Sequence, residues 1–261
     1  MTTTVYLVRH CESLGNIGNR MQGRTDCDIS ENGARQLENL RRRMADIPVD
    51  VICSSPLLRA YKTAQAIRGD RDLPIHVVED LQEMSFGDWE DHDWATLNAT
   101  YPEETGKWRT APYEMRFQNG ETFEMVEQRT AAAIERIVAQ NPGKHIAIAT
   151  HATPIRVYAR RVLNADYDLQ TVDWARNTSI STFTFDEAGT PTLVSYGAFE
   201  HHPEEPIYHF NEIKKWRRNG RAPAPGRPRK SLRPPSRAAP QPQTKPEKGG
   251  MRHVRREKPP V

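Results

Sequence analysis

Four short apolar runs, each stopped by the same kind of polar group, constrain this chain more than any other feature. Val5-Tyr-Leu-Val8 runs into Arg9-His10, and Asp50-Val-Ile-Cys53 into Ser54-Ser-Pro-Leu-Leu-Arg59. Ile75-His-Val-Val78 leads to Leu81-Gln-Glu83, and His145-Ile-Ala-Ile-Ala149 runs into Thr150-His151. Runs of this kind fit strands buried on both faces, and a sheet made of them binds ligands outside its carboxyl ends. Two histidines, two arginines and one glutamate are therefore expected at one sheet edge. Arginine presents a fixed fork of donors that matches phosphate oxygens, and imidazole is an uncharged nucleophile near neutral pH.

The segments between the runs read as helices. Ser55 is expected to cap one, with Pro56 at its first position and Arg59 one turn in. Ser30 precedes a second with Ala34, Leu37, Leu40 and Met44 on one face, and Thr122 a third carrying Phe123, Val126, Thr130, Ala133 and Ile137. Ser179–Phe185 alternates, Asp186-Glu-Ala-Gly-Thr-Pro turns, and Thr192–Tyr196 returns as a hairpin partner. The expected fold is an α/β three-layer α/β/α sandwich around a mixed, mostly parallel sheet.

With these residues in order, the chain resembles the histidine phosphatase superfamily, which includes cofactor-dependent phosphoglycerate mutases and many small phosphatases. Arg9-His10-Cys11-Glu12-Ser13 with Asn16 is similar to the opening motif. Ser55–Ala64, Glu83 with Phe86-Gly87-Asp88-Trp89-Glu90, His151 with Pro154-Ile155-Arg156, and Asn177–Ser181 are similar to the later blocks. The resemblance covers roughly the first 200 residues, the size of one α/β domain. It implies that His10 attacks phosphorus to form a phosphohistidine, with Arg9, Arg59 and His151 around the phosphoryl oxygens and Asn16 donating a further hydrogen bond. It implies that Glu83 protonates the leaving alkoxide and then takes a proton from water, for which it must be protonated at working pH. No metal or other cofactor is expected, since guanidinium and imidazolium supply the positive charge.

The chain departs from the family pattern at Cys11, Ala152 and Asp91, each where glycine is usual. A position needing positive φ would strain these residues, whereas one needing only closeness tolerates a small side chain. Cys11 has cationic neighbours that would lower a thiol pKa, and the competing reading is an inert packed thiol. Cys53 reads as a buried hydrophobe. Glu12 and Asp26 read as solvated or capping carboxylates, and His76, His92 and His145 as histidines without partners. His201-His202 and His209 read as surface or core groups, since no acid or cysteine accompanies them at zinc-like spacing. Trp89, Trp94 and Trp108 are expected to pack the sheet edge and a lid over the pocket.

Charge divides the chain in two. Residues 214–261 carry 16 Lys+Arg against 2 acids, whereas residues 1–213 carry 21 against 32, so balances of +14 and −11 hide inside a net +3. Ten of the 20 prolines fall in 214–261, which has almost no apolar side chains. Such a segment cannot offset its ordering entropy, so a catalytic domain of 1–213 and a disordered basic tail of 214–261 are expected. The tail is expected to be a solvated extension with weak nonspecific contacts, or to fold back on the acidic domain. The alternative is a polyanion-binding protein whose working part is the tail, binding nucleic acid or an anionic membrane surface without sequence choice. With three cysteines, no leader and no membrane-length apolar run, a soluble cytoplasmic protein of unknown oligomeric state is expected.

The resemblance implies a small phosphorylated substrate. Between Glu83 and His151 lie fewer residues, and fewer bases, than the insert with which related mutases hold a carboxylate. A mutase must exclude water from its phosphohistidine and a phosphatase must admit it, so the phosphatase reading is preferred. Gln22-Gly23-Arg24-Thr25 could still contact a substrate carboxylate, and Ala152 a substrate, which leaves the mutase as the alternative.

Overall fold

The computed structural model describes residues 1–164 and 172–202, all within the unit Met1–Pro206. The expected tail, its boundary near residue 213, and His209 lie outside the described residues. Within them, β1 (Thr3–Arg9), α1 (Leu14–Ile17), α2 (Glu31–Ala45), β2 (Val51–Ser54), α3 (Leu58–Arg68) and β3 (Ile75–Val77) form the first half. They are followed by α4 (Trp94–Thr100), α5 (Pro102–Thr110), α6 (Phe123–Gln140), β4 (His145–Thr150), α7 (Ala152–Val162), β5 (Ile180–Phe185) and β6 (Pro191–Ala198).

The sheet order is β3-β2-β4-β1-β5-β6. β3, β2, β4 and β1 are parallel neighbours, while β5 pairs antiparallel with both β1 and β6. Alternation along the strands divides the core into two layers. Val5, Leu7, Ile146, Ile148, Phe183 and Phe185 pack with Ile134, Ile137, Ile155 and Tyr158 of α6 and α7. Val8, Ile52, Ala147, Ala149 and Ile180 pack with Leu40, Met44, Ala64 and Ile67 of α2 and α3. The expected three-layer sandwich around a mixed, mostly parallel sheet is the fold.

Helix starts follow short polar signals. Ser30 accepts from the Gly33 amide at 2.9 Å to open α2, and Thr122 from the Met125 amide at 3.3 Å to open α6. Two local expectations are corrected. Ala34 is exposed, and α2 turns inward Gly33 and Gln36 with Leu40 and Met44. α3 starts at Leu58, not Pro56, and Ser55 does not cap it; the Asp26 carboxylate accepts from the Leu58 amide at 2.9 and 3.1 Å. Asp26 is thus one of the capping carboxylates expected. Glu12 also accepts locally, from Ser30 Oγ at 2.5 Å and Asn32 Nδ2 at 3.3 Å.

A third apolar cluster stands beside the sheet edge. Met84, Phe86, Trp89, Leu97, Tyr113, Met115 and Phe117 pack with Phe123 and Val126, and Trp94 and Trp108 lie partly buried against them. Edge-to-face ring pairs run through it, among them Trp89–Phe117 at 5.2 Å and Phe86–Trp108 at 5.7 Å. The three tryptophans therefore share one apolar cluster. Among the described residues, no helix is long and apolar enough to cross a membrane.

Candidate active site

β2, β4 and β1 are consecutive in the sheet, so the residues just past their ends fall side by side. The parallel ladder continues one step beyond the strands: the His10 amide donates to Thr150 O and the Ser55 amide to Ala149 O, each at 2.9 Å. This puts His151 between Ser55 and His10. The two imidazole centroids are 5.1 Å apart, and His151 Nε2 lies 2.8 Å from Ser55 Oγ. Ser55, read from sequence as a cap, instead tethers His151; the Ser-Pro step after a strand carries no sign of this.

His10 is buried, and its Nδ1 is 2.6 Å from Cys11 O. A carbonyl can only accept, so Nδ1 carries the proton and the neutral ring keeps its lone pair at Nε2. Burial, then the Arg59 and Arg9 guanidinia, hold the His10 pKa well below its ordinary 6.5. Burial and Arg59 act on His151 in the same direction.

Arg59, 1% exposed, donates to Thr25 O at 3.0 Å and Gly23 O at 2.8 Å. Arg9 donates to Ala175 O at 2.6 Å. Burial pushes both guanidinia below their ordinary pKa, and the Glu83 carboxylate works against that shift in each. Arg9 Nε, Arg59 Nε and His151 Nδ1 are buried without a hydrogen-bond partner. Unsatisfied buried polar atoms are costly; others lie elsewhere in the described residues, two of them on Arg156, but these three belong to groups whose charge or ring acts on His10.

Glu83 is also buried. Its Oε1 accepts from the Met84 amide at 2.8 Å and its Oε2 from the Thr153 amide at 3.4 Å, in the first turn of α7. Asn16 lies in α1, where its Oδ1 accepts from the Ser13 amide at 3.1 Å and Ser13 Oγ at 3.0 Å. That leaves the Asn16 amide NH2 as a donor. Ala152, nearly buried, opens α7 beside His151.

The side chains of Gln22, Arg24 and Thr25 all have partners within the protein. Gln22 accepts from Ser13 Oγ at 2.7 Å and donates to Cys27 Sγ at 2.7 Å. Thr25 donates to Glu90 through its amide (2.8 Å) and hydroxyl (3.0 Å), and Arg24 bonds Gln82, Glu83 O and Glu121. Gly23 has room for no more than a hydrogen, since a Cβ there would stand 2.4 Å from Met84 O and from Glu90 Oε1.

The departures from glycine separate cleanly. Cys11 and Ala152 are not among the positive-φ residues, so neither is strained, whereas Asp91 has φ 61°. Cys11 is a buried, packed thiol, and burial pushes it up to about 11, overriding the lowering expected from its neighbours. Cys53 is pushed up to about 11 by burial as well. Two histidines expected without partners have them: His145 Nδ1 lies 3.3 Å from Tyr6 Oη, and His92 Nδ1 3.0 Å from Glu90 O. His76 is exposed. His202 is buried in the core, close to Thr178. Among the described residues, no group of three or more His, Cys, Asp or Glu side chains could hold a metal ion.

Comparison with known proteins places this geometry. Residues 5–199 match the model of the histidine phosphatase superfamily, branch 1. Phosphoserine phosphatase 1 of Hydrogenobacter thermophilus is 31% identical over 160 residues, 61% of this chain and 76% of that protein. The adenosylcobalamin/alpha-ribazole phosphatase of Salmonella typhimurium is 30% identical over 159 residues, 61% of this chain and 79% of that protein. The solved structure of Bacillus stearothermophilus YhfR superposes with a TM-score of 0.73 at 30% identity, covering 76% of this chain and 98% of its own. From its strand-end motifs to its sheet order, the chain belongs to the histidine phosphatase superfamily.

Proposed function

We propose that this protein is a phosphatase of small phosphomonoesters that works through a phosphohistidine. Membership of the superfamily and the phosphatases among its relatives support the activity. The observation that carries the mechanism is the anchoring of His10 Nδ1 on Cys11 O beside three unsatisfied buried nitrogens of Arg9, Arg59 and His151.

In this reading, His10 Nε2 attacks phosphorus in line, the N–P bond forms and the P–O bond to the leaving group breaks. Glu83 gives its proton to the departing alkoxide oxygen. Arg9, Arg59, His151 and the Asn16 amide hold the equatorial oxygens as charge builds on them, which supplies much of the rate in phosphoryl transfer. Water then attacks the phosphohistidine, Glu83 takes its proton, the N–P bond breaks, and inorganic phosphate leaves. None of these steps needs a cofactor.

The engagement of Arg24 with Gln82, Glu83 O and Glu121 favours phosphatase over mutase, since this guanidinium has partners inside the protein rather than a substrate carboxylate to hold. Three unpaired cysteines fit a reducing, cytoplasmic setting. The test is turnover of a panel of phosphomonoesters, with 3-phosphoglycerate followed for both phosphate release and isomerisation. His10→Ala should abolish turnover and acid-labile phosphate labelling; substantial phosphatase activity in that variant overturns the mechanism.

A further inference from the structure

Glu83 sits in a stretch, Glu83–Phe86, without regular secondary structure, so neither a helix nor a sheet ladder holds the peptide of the proposed acid. Two guanidinia do. Glu83 O accepts from Arg24 Nε at 3.1 Å and from Arg129 Nη2 at 3.0 Å. Arg129 Nη1 also donates to Asp80 O at 2.7 Å and Gln82 O at 2.8 Å, so one side chain gathers three carbonyls of the approach to Glu83.

Arg129 is itself fixed. Glu121, just before α6, accepts from Arg129 Nε at 2.8 Å and Nη2 at 3.0 Å, with both side chains largely buried. The same Glu121 carboxylate accepts from the Ser85 amide at 2.8 Å and from Arg24 Nη2 at 3.3 Å. Burial raises the Glu121 carboxyl, and Arg129 overrides it, holding the pKa below the ordinary carboxylate range. The residues before and after Glu83 therefore hang on one charged frame built from α6. Arg24 links that frame to the Gly23–Thr25 carbonyls that hold Arg59.

We propose that Arg129, locked by Glu121 and supported by Arg24, is the positioning residue for the general acid. It fixes the Glu83 peptide so that the carboxyl meets the leaving-group oxygen, without touching the reacting atoms. Only a planar guanidinium with several donors in a fixed fork can serve these carbonyls and a carboxylate together; an ammonium is a single point charge. The inference rests on the reading of Glu83 as the acid.

The experiment compares kcat/KM, which reports phosphorylation of the enzyme, for 4-nitrophenyl phosphate and for an alkyl phosphate such as propyl phosphate. The nitrophenolate leaves without help, whereas the alkoxide needs a proton. In the full-length chain, Arg129→Lys should lose roughly 30- to 100-fold on the alkyl ester and less than about threefold on the nitrophenyl ester, as expected for a misplaced acid. Glu121→Gln should show the same selectivity at smaller size, and it carries the test if Arg129→Lys does not fold. Glu83→Gln is run beside them. Equal losses on both esters in the Arg129 and Glu121 variants, with Glu83→Gln selective, would reduce the network to a stability role and overturn the inference. An unselective Glu83→Gln overturns the acid assignment, and the inference with it.

Discussion

Thr178 and His202 share a hydrogen bond of 2.6 Å between Oγ1 and Nε2, both fully or nearly buried, with Thr178 in the left-handed region at φ 57°. A β-branched residue there is an outlier that costs of order 1–3 kcal/mol. The turn it forms meets the nucleophile strand: the Thr178 amide donates to Arg9 O at 3.0 Å and His10 O at 3.3 Å, and Asn177 Nδ2 to His10 O at 2.9 Å. Thr178→Gly should relieve the backbone while losing the hydroxyl, for a net change within about 1 kcal/mol. His202→Ala should destabilise by about 2–3 kcal/mol, because it opens a cavity and removes the donor to a hydroxyl that keeps only its bond to Asn177 O, at 2.7 Å. Urea denaturation of both variants checks the pair, and equal losses would mean that the hydroxyl, not the strain, dominates at Thr178.

Asp91 is the second left-handed side chain with a reason to be tested. Asp91→Gly should leave stability unchanged or raise it by up to about 1 kcal/mol, since glycine takes φ 61° freely. Among the described residues, the loss is the exposed pair with Arg20 at 2.9 Å, worth about a few tenths of a kcal/mol. A drop in Tm of several degrees would contradict this.

Acid should weaken the fold through its buried histidines. His10 and His151 are held well below 6.5 by burial and by Arg59, and His201 is lowered to about 4 by burial and by His202. Their unfolded forms bind protons first as pH falls. The stability they contribute is therefore complete above about pH 6.5 and is lost on descending toward the folded pKa values. Tm should fall steadily between about pH 7 and pH 5, and His10→Asn should flatten part of that slope. A Tm that stays level to about pH 5 would show that these rings are not neutral in the fold.

Arg59→Ala should lower kcat/KM by about 10²–10³-fold, the effect of removing a preorganised donor from developing charge. The loss should fall on the nitrophenyl and alkyl esters alike, because it acts on the phosphoryl group and not on the leaving group. A selective loss would move Arg59 from the phosphate to the acid.

Removal of residues 219–261 should leave kcat on a small neutral phosphomonoester nearly unchanged and abolish salt-sensitive retention on heparin. The deletion takes away a balance of +10 and leaves −7 on residues 1–218. Retention by the truncated protein would place polyanion binding on the domain, and loss of turnover would place the tail in the active fold.

What the sequence made legible was local. β1 and β4 are contiguous apolar runs with His10 and His151 at their polar stops, and the run of β2 leads to Arg59 at the start of α3, so strand, edge and chemistry could be read together. The hairpin of β5 and β6 was visible in its alternation and its Asp186–Pro191 turn. What stayed hidden was carried across the chain. Asp26 caps a helix 32 residues away, and Arg129 reaches Glu83 O across 46 residues. No period or motif relates such partners, since tertiary packing alone brings them together. The left-handed Thr178 was equally invisible, because threonine is among the residues least suited to that conformation.

The place of β1 in the sheet has a consequence for how the protein opens. The strand leading to His10 is paired on both sides, by β4 and β5, whereas Glu83 stands outside any strand or helix, its carbonyl held by two side chains. Local opening should release the second before the first. Amides of Val5–Val8 should exchange with solvent only on global unfolding, and those around Glu83 through smaller fluctuations. Under mild denaturant the molecule would lose its proton donor while the nucleophile is still in place, and nitrophenyl phosphate turnover should outlast alkyl phosphate turnover.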